Sequence, residues 1–173
     1  QAHPGDDRRG VRSMMGGGAS GGGGQQLQQL QQQLEALDTE IAELNEEIAE
    51  LTTERSEIDE AVTALETLDS GSTVQVPLGG DAYLRAEIQD IDEVIVSLGG
   101  GYAAEQDQDT AIDSLRLKQE ALDEQIDDLE GEIDDLEEEA STLEEQAQAI
   151  QQRMQQQQMQ QMQAMQQGDE DAE

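Results

Sequence analysis

Forty-two of the 173 residues carry a carboxylate, and acid pairs recur along most of the chain. Paired carboxylates can serve as general acid and base or hold a hard cation. Acid–base work requires burial, because desolvation is what raises a carboxyl pKa into a useful range. Here the pairs fall on the outer faces of helical segments, where water solvates them. Asp107-Gln108-Asp109 resembles the start of a calcium loop, but the turn glycine and the bidentate glutamate at the twelfth position are missing. Diffuse cation binding is expected, and a specific metal site is not. His3 is the only histidine and cysteine is absent. No Ser-His or Cys-His nucleophile can be built, nor a thiolate metal site or a disulfide framework. GGGGQQ lacks the Lys-Ser/Thr of a phosphate cradle, and Gly99-Gly100-Gly101 is not a dinucleotide fingerprint. Asn45 is followed by two glutamates and is no glycosylation acceptor. The expectation is a protein that is not an enzyme and uses no cofactor.

The remaining chemistry is that of contact. Beyond Met154 the sequence becomes almost pure Gln and Met, with Met159, Met162 and Met165. One reading is a low-complexity, fraying helix end. The other is an adaptable apolar surface, since methionine is flexible and polarizable and repacks against varied partners.

Three kinds of element must position these residues. Leu27, Leu30, Leu34, Leu37, Ile41, Leu44, Ile48, Leu51, Arg55, Ile58, Val62 and Leu65 are spaced strictly 3-4-3-4. Only Arg55 breaks the apolar set of this coiled-coil seam. At 1.5 Å per residue, about 40 residues span about 60 Å. A second series runs from Ile112 through Gln119 to Ile150 and Met154. Between them, residues 70–105 are Gly-rich and β-rich, and read as strands at 73–76, 82–88, 93–98 and 102–105, paired as two hairpins. The fold class is therefore mainly α with a small β part: an antiparallel two-helix coiled-coil hairpin with two β-hairpins inserted between the helices. Symmetric folding about the insert sets Leu65 against Ile112, Leu51 against Ile126, Leu37 against Ala140 and Leu27 against Ile150. Arg55 and Gln119 fall in neighbouring layers as a polar register marker. The boundaries expected are a disordered Gly-rich extension over 1–24, helices over 25–68 and 106–167, the β insert over 69–105 and an acidic tail over 168–173. The change of composition at Met14 and Met15 predicts a native start there.

Phe and Trp are absent and aromatics make up 1% of the chain, so a narrow seam replaces a globular core. The net charge is −34, with only eight basic residues, which argues against nucleic-acid binding. Sustained heptads argue against acidic disorder. A salt-rich, halophilic cytoplasm fits best, because molar salt shortens the screening length to about 3 Å. No apolar run approaches the roughly 20 residues of a membrane span, and the polar start has no apolar signal-peptide core.

The insert VPLGGDAYLRAEIQDIDEVIVSLGGGYAAE, residues 76–105, resembles the most recognisable stretch of archaeal prefoldin alpha subunits, a family with helix, two β-hairpins and helix in that order. The resemblance covers roughly residues 25–165. It implies a cytoplasmic, ATP-independent chaperone subunit in a hexamer of two alpha and four beta subunits. That hexamer would bind unfolded polypeptides at coiled-coil tips and pass them to a group II chaperonin. Carried onto this sequence, the oligomerisation residues would be Val74, Val76, Leu84, Ile88, Val94, Val96 and Leu98. The client-binding tip would comprise Leu27, Leu30, Ile150, Met154, Met159 and Met162. The rival reading is a coiled-coil scaffold or spacer without chaperone activity, which accounts for the heptads but not for the insert.

Overall fold

The computed structural model describes residues 22–170. The expected N-terminal extension up to residue 21, with Met14 and Met15, and the last three residues of the acidic tail lie outside the described residues. The elements are α1 (Gly22–Thr67), β1 (Thr73–Gly79), β2 (Ala82–Glu87), β3 (Val94–Gly99), β4 (Tyr102–Gln106) and α2 (Gln108–Glu170). The two-helix, two-hairpin expectation is borne out, with boundaries displaced by a few residues. Gly22–Gly24, expected in the extension, are helical, and α2 runs through Gly168 to Glu170. At Gly23 a Cβ would stand 3.1 Å from Met154 Sδ, so this glycine marks a close approach of the two helices.

The chain divides into two compact units. Thr39–Glu137 holds the four strands and the helix segments that flank them. Its seam centres on buried Ile58, Val62 and Leu122, with Leu51, Ile112 and Leu115 packed around them. Val62 is wholly buried. The pairs across this seam run in opposite directions along the two helices: Arg55 meets Asp123, and Asp59 meets Arg116 and Gln119. The other unit comprises the described residues 22–38 and 138–170. There Leu37 is buried, and Leu30 shares a groove with Ile150. In α1 every expected seam position from Leu27 to Leu65 is at least half shielded, Arg55 included. In α2 the same holds from Ile112 to Met154. A strict 3-4 alternation puts those positions on one stripe, and the stripe is what the helices bury.

The two hairpins form separate two-stranded antiparallel sheets, and they repeat one another at an offset of twenty residues. Val74, Val76, Leu78, Gly79 and Gly80 in the first correspond to Val94, Val96, Leu98, Gly99 and Gly100 in the second. Both registers slip at the leucine, between Pro77 and Gly79 and between Ser97 and Gly99. The turns need left-handed backbone: Gly79, Gly80 and Asp81 have φ of 97°, 57° and 62°, and Gly99, Gly100 and Gly101 have 91°, 61° and 81°. Pro77 sits opposite Tyr83. A two-stranded sheet is all edge, so a residue without an N–H is tolerated there.

Hydrogen bonds tie the hairpins to the helix ends. Gly71 N donates to Ile88 O (2.7 Å) and Ile88 N to Ser72 O (2.9 Å), extending the first hairpin to the foot of α1. Ile91 N donates to Ser70 Oγ, and Gln108 N to Asp92 Oδ1 (3.1 and 3.3 Å). The side-chain amide of Gln108 then reaches across to cap α1. Its Nε2 donates to Leu65 O and, at 3.1 Å, to Leu68 O, two carbonyls that a helix end leaves without intrahelical donors. Asp107 caps α2 itself, accepting from Thr110 N at 2.8 Å. Hydrogen bonds from Thr110, side chain and then backbone, hold the Asp107 carboxyl below its ordinary pKa. Asp107-Gln108 is thus a helix start rather than a cation loop.

Candidate interaction surfaces

Each hairpin has two faces, because side chains alternate across a strand. In the second, cross-strand pairs Val94–Gln106 and Val96–Ala104 share a shielded face, and Val96 is only 4% exposed. The opposite face carries Ile95, 75% exposed beside Glu105. In the first hairpin, Val74 and Ala86 are half-buried. The next pair on that face, Val76 and Leu84, is open at 40% and 56%. The bulge leucines Leu78 and Leu98 and the tyrosines Tyr83 and Tyr102 are all more than half exposed. Seven of the eleven large exposed apolar side chains among the described residues therefore sit on the two hairpins. Soluble proteins leave such concentrations open mainly where something binds.

The seven residues expected to mediate oligomerisation divide accordingly. Val76, Leu84 and Leu98 are open to a partner. Val74, Ile88 and Val94 are half-buried. Val96 is closed off by its own chain, so it supports the hairpin rather than offering a surface. Ile95, Leu78, Tyr83 and Tyr102 fall outside the expected set, although period-two alternation does place Ile95 and Val96 on opposite faces. The sequence cannot say which of the two faces the chain covers itself.

The residues expected at the tip also divide. Leu27, Leu30, Ile150 and Met154 lie half-buried along the seam of the smaller unit. Leu30 and Ile150 line a groove with Gln26, Gln29, Gln146 and Arg153. Past Met154 the exposure changes: Met159 is 71%, Met162 72% and Met165 80% exposed. These three share one helical face with Gln155, Gln158 and Gln161, as spacings of three and four require. Met165 belongs with the other two.

Polar groups inside the seam are few. Gln119, 7% exposed, donates from Nε2 to Asp59 Oδ1 at 2.9 Å and accepts from Arg116 at 3.1 Å. Arg116 also bonds Asp59 at 3.2 Å. The Gln119 hydrogen bond, then that of Arg116, holds the Asp59 carboxyl below its ordinary pKa. Arg55 bonds Asp123 through Nε, and that bond raises the guanidinium pKa further. The expected register markers thus lie in neighbouring layers, each satisfied by an acid on the facing helix. Among the described residues no three His, Cys, Asp or Glu side chains converge as metal ligands, and no helix is long and apolar enough to cross a membrane.

Comparison with known proteins places this architecture. The family pattern described as Prefoldin subunit matches residues 30–153. The chain is 68% identical over 117 residues to a protein named prefoldin subunit alpha from Haloarcula marismortui, covering 68% of this chain and 76% of that one. It is 63% identical over 106 residues to the like-named protein of Halorubrum lacusprofundi, covering 61% and 70%. Among solved structures, filamentous prefoldin from Methanocaldococcus jannaschii aligns with a TM-score of 0.47 and 27% identity, covering 72% of this chain and 99% of that one. Two long helices around a pair of repeated hairpins, with a family match across both helices and the insert, make this chain a member of the prefoldin family, of its haloarchaeal alpha type.

Proposed function

We propose that this chain is a subunit of an ATP-independent holdase, a chaperone that binds unfolded polypeptides and keeps them from aggregating. The observation that carries the reading is the methionine face of α2. Met159, Met162 and Met165 are 71–80% exposed on one side of a helix that has no described residue of α1 opposite it. A flexible thioether stripe makes weak, adaptable contacts, and several copies in one assembly would add them into useful avidity. The exposed hairpin residues Val76, Leu78, Leu84, Ile95 and Leu98 supply the assembly surface. Isolated two-stranded hairpins are marginal alone and gain from pairing with other copies. By family likeness the assembly is a cytoplasmic hexamer of two alpha-type and four beta-type subunits, with the hairpins as its platform. Its clients pass to a group II chaperonin. The family works by binding, and no catalytic role is assigned to any residue here.

The test is Met159→Gln/Met162→Gln/Met165→Gln, in complex with a beta-type subunit in molar KCl. Glutamine keeps the helix propensity and removes the apolar surface. Suppression of aggregation of a chemically unfolded client should fall severalfold while native mass and helicity stay unchanged. Unchanged suppression would remove the methionine face from the mechanism. Absence of suppression by the unmodified complex would leave the scaffold reading in its place.

A further inference from the structure

The carboxylates of this chain are not spread evenly. Thirty-six of the 42 lie between Glu35 and Glu145. Residues 22–34 hold no charged residue, and residues 146–168 hold one, Arg153. Both segments belong to the same compact unit, where Gly23 meets Met154 and Leu30 shares its groove with Ile150. In a protein of net charge −34, this end is a surface of amides, thioethers and one guanidinium. Arg153 is exposed and lines the groove beside Leu30, Ile150 and glutamines, and no acid of the described residues pairs with it. A cation unpaired among the described residues, beside an apolar groove in the helical zone free of carboxylates, is complementary to a partner that brings its own negative charge.

We infer that this end of the molecule is built to accept unfolded polypeptide that is itself acidic, with apolar residues interspersed among carboxylates. The inference rests on the holdase reading and names the client class. An acidic segment approaching the helix segments 35–67 and 108–145 meets like charge. On residues 22–34 and 146–168 it meets none, so its apolar side chains reach the methionines and the Leu30–Ile150 groove without electrostatic cost, and a carboxylate can pair with Arg153. Apart from Arg153 the surface is neutral, so its apolar contacts stay usable across salt concentrations, because screening has little else to weaken there. Basic residues in their place would bind acidic chains tightly in dilute buffer and lose that attraction in molar salt.

The experiment uses the assembled complex and two fluorescent 30-residue disordered peptides. They share their Leu, Val and Ala positions and differ only in carrying Glu or Gln elsewhere. Fluorescence anisotropy is read in 0.3, 1 and 3 M KCl. The Glu peptide should bind at least as tightly as the Gln peptide. Arg153→Gln should weaken the Glu peptide by about two- to fivefold at 0.3 M, the worth of an exposed ion pair, by less at 3 M, and leave the Gln peptide unaffected. Gln151→Glu/Gln156→Glu/Gln161→Glu, which preserves helix propensity and avoids like charges three or four residues apart, should weaken the Glu peptide about tenfold at 0.3 M through like-charge contacts and the Gln peptide far less. If both peptides bind equally to every variant, the charge selectivity is wrong and the holdase reading stands. If neither peptide binds the unmodified complex, both fall.

Discussion

Replacing Gln119 with leucine should make the protein more stable and less precise. Gln119 occupies a seam position and is 7% exposed, one turn from the buried Leu122 on the same helix. A leucine there would bury a full apolar side chain, worth about 2 kcal/mol. Against this stand the two hydrogen bonds of the amide. Their partners, Asp59 and Arg116, have side chains 55% and 48% exposed. Water therefore replaces most of what they lose, and their own 3.2 Å contact remains. The apolar gain wins, by about 1 kcal/mol, which corresponds to a rise of a few degrees in Tm. The cost falls on register, because a glutamine that must find Asp59 penalises any slip of one helix along the other, and a leucine does not.

Two measurements check this in molar KCl: thermal unfolding followed by circular dichroism, and the distance distribution between spin labels at residues 47 and 130. Both positions are exposed on the facing helices of the same unit. The Gln119→Leu protein should melt higher and show a broader distribution than the parent. A third readout is the Asp59 carboxyl followed by NMR. Gln119 is the largest cause of its lowered pKa, so the substitution should move it back up toward the ordinary value. A fall in Tm would refute the energetic reasoning, and an unchanged narrow distribution would refute the role in register.

Other outcomes follow from the same geometry. Ile95→Asp, at a 75% exposed position, should block assembly with a beta-type subunit and leave the helices and hairpins folded. Val96→Asp, at 4% exposure, should also unfold the second hairpin, so native mass and hydrogen exchange over β3 and β4 separate the two. Gln108→Ala strands the carbonyls of Leu65 and Leu68 and should cost about 1–2 kcal/mol in chemical unfolding. Asp59 and Asp107 both have depressed carboxyl pKa values. The stability they contribute is complete above the ordinary value of about 3.9 and is lost as pH falls through their folded values. A melting series from pH 6 to 2.5 should show a flat upper region followed by this loss, and Gln119→Leu should reduce the Asp59 share of it, leaving the part that Arg116 supplies.

The helices were legible because a 3-4 alternation sustained over many turns has one geometric solution, and the glycines of 79–80 and 99–101 announced their turns because little else tolerates those backbone angles. Inside against outside on the hairpins was not legible. Both faces of β3 are apolar, with Val94, Val96 and Leu98 on one and Ile95 on the other, so alternation gives two faces without saying which one the chain covers. The Gln108 clamp was hidden for a different reason. A glutamine near the start of a helix has no distinctive pattern, and its function depends on two carbonyls forty residues away in sequence. At residues 22–24 local propensity misled, since three glycines look like linker until Met154 is seen packed against Gly23.

The composition of residues 155–167 resolves an apparent conflict between exposure and order. A helix normally gains its stability from a buried face, and this one shows its apolar face to water. It must therefore persist on local terms alone. The segment contains only Gln, Met and Ala, all good helix formers, with no glycine, proline or β-branched residue to weaken it. It also has no like charges spaced three or four apart to repel one another. Glutamate would match the helix propensity but bring that repulsion, at about 0.2–0.5 kcal/mol per pair in an isolated helix, to a stretch with no packing to offset it. Neutrality and glutamine richness thus serve two ends at once: they hold the helix without burial and keep the methionines approachable by a polypeptide that is itself negatively charged.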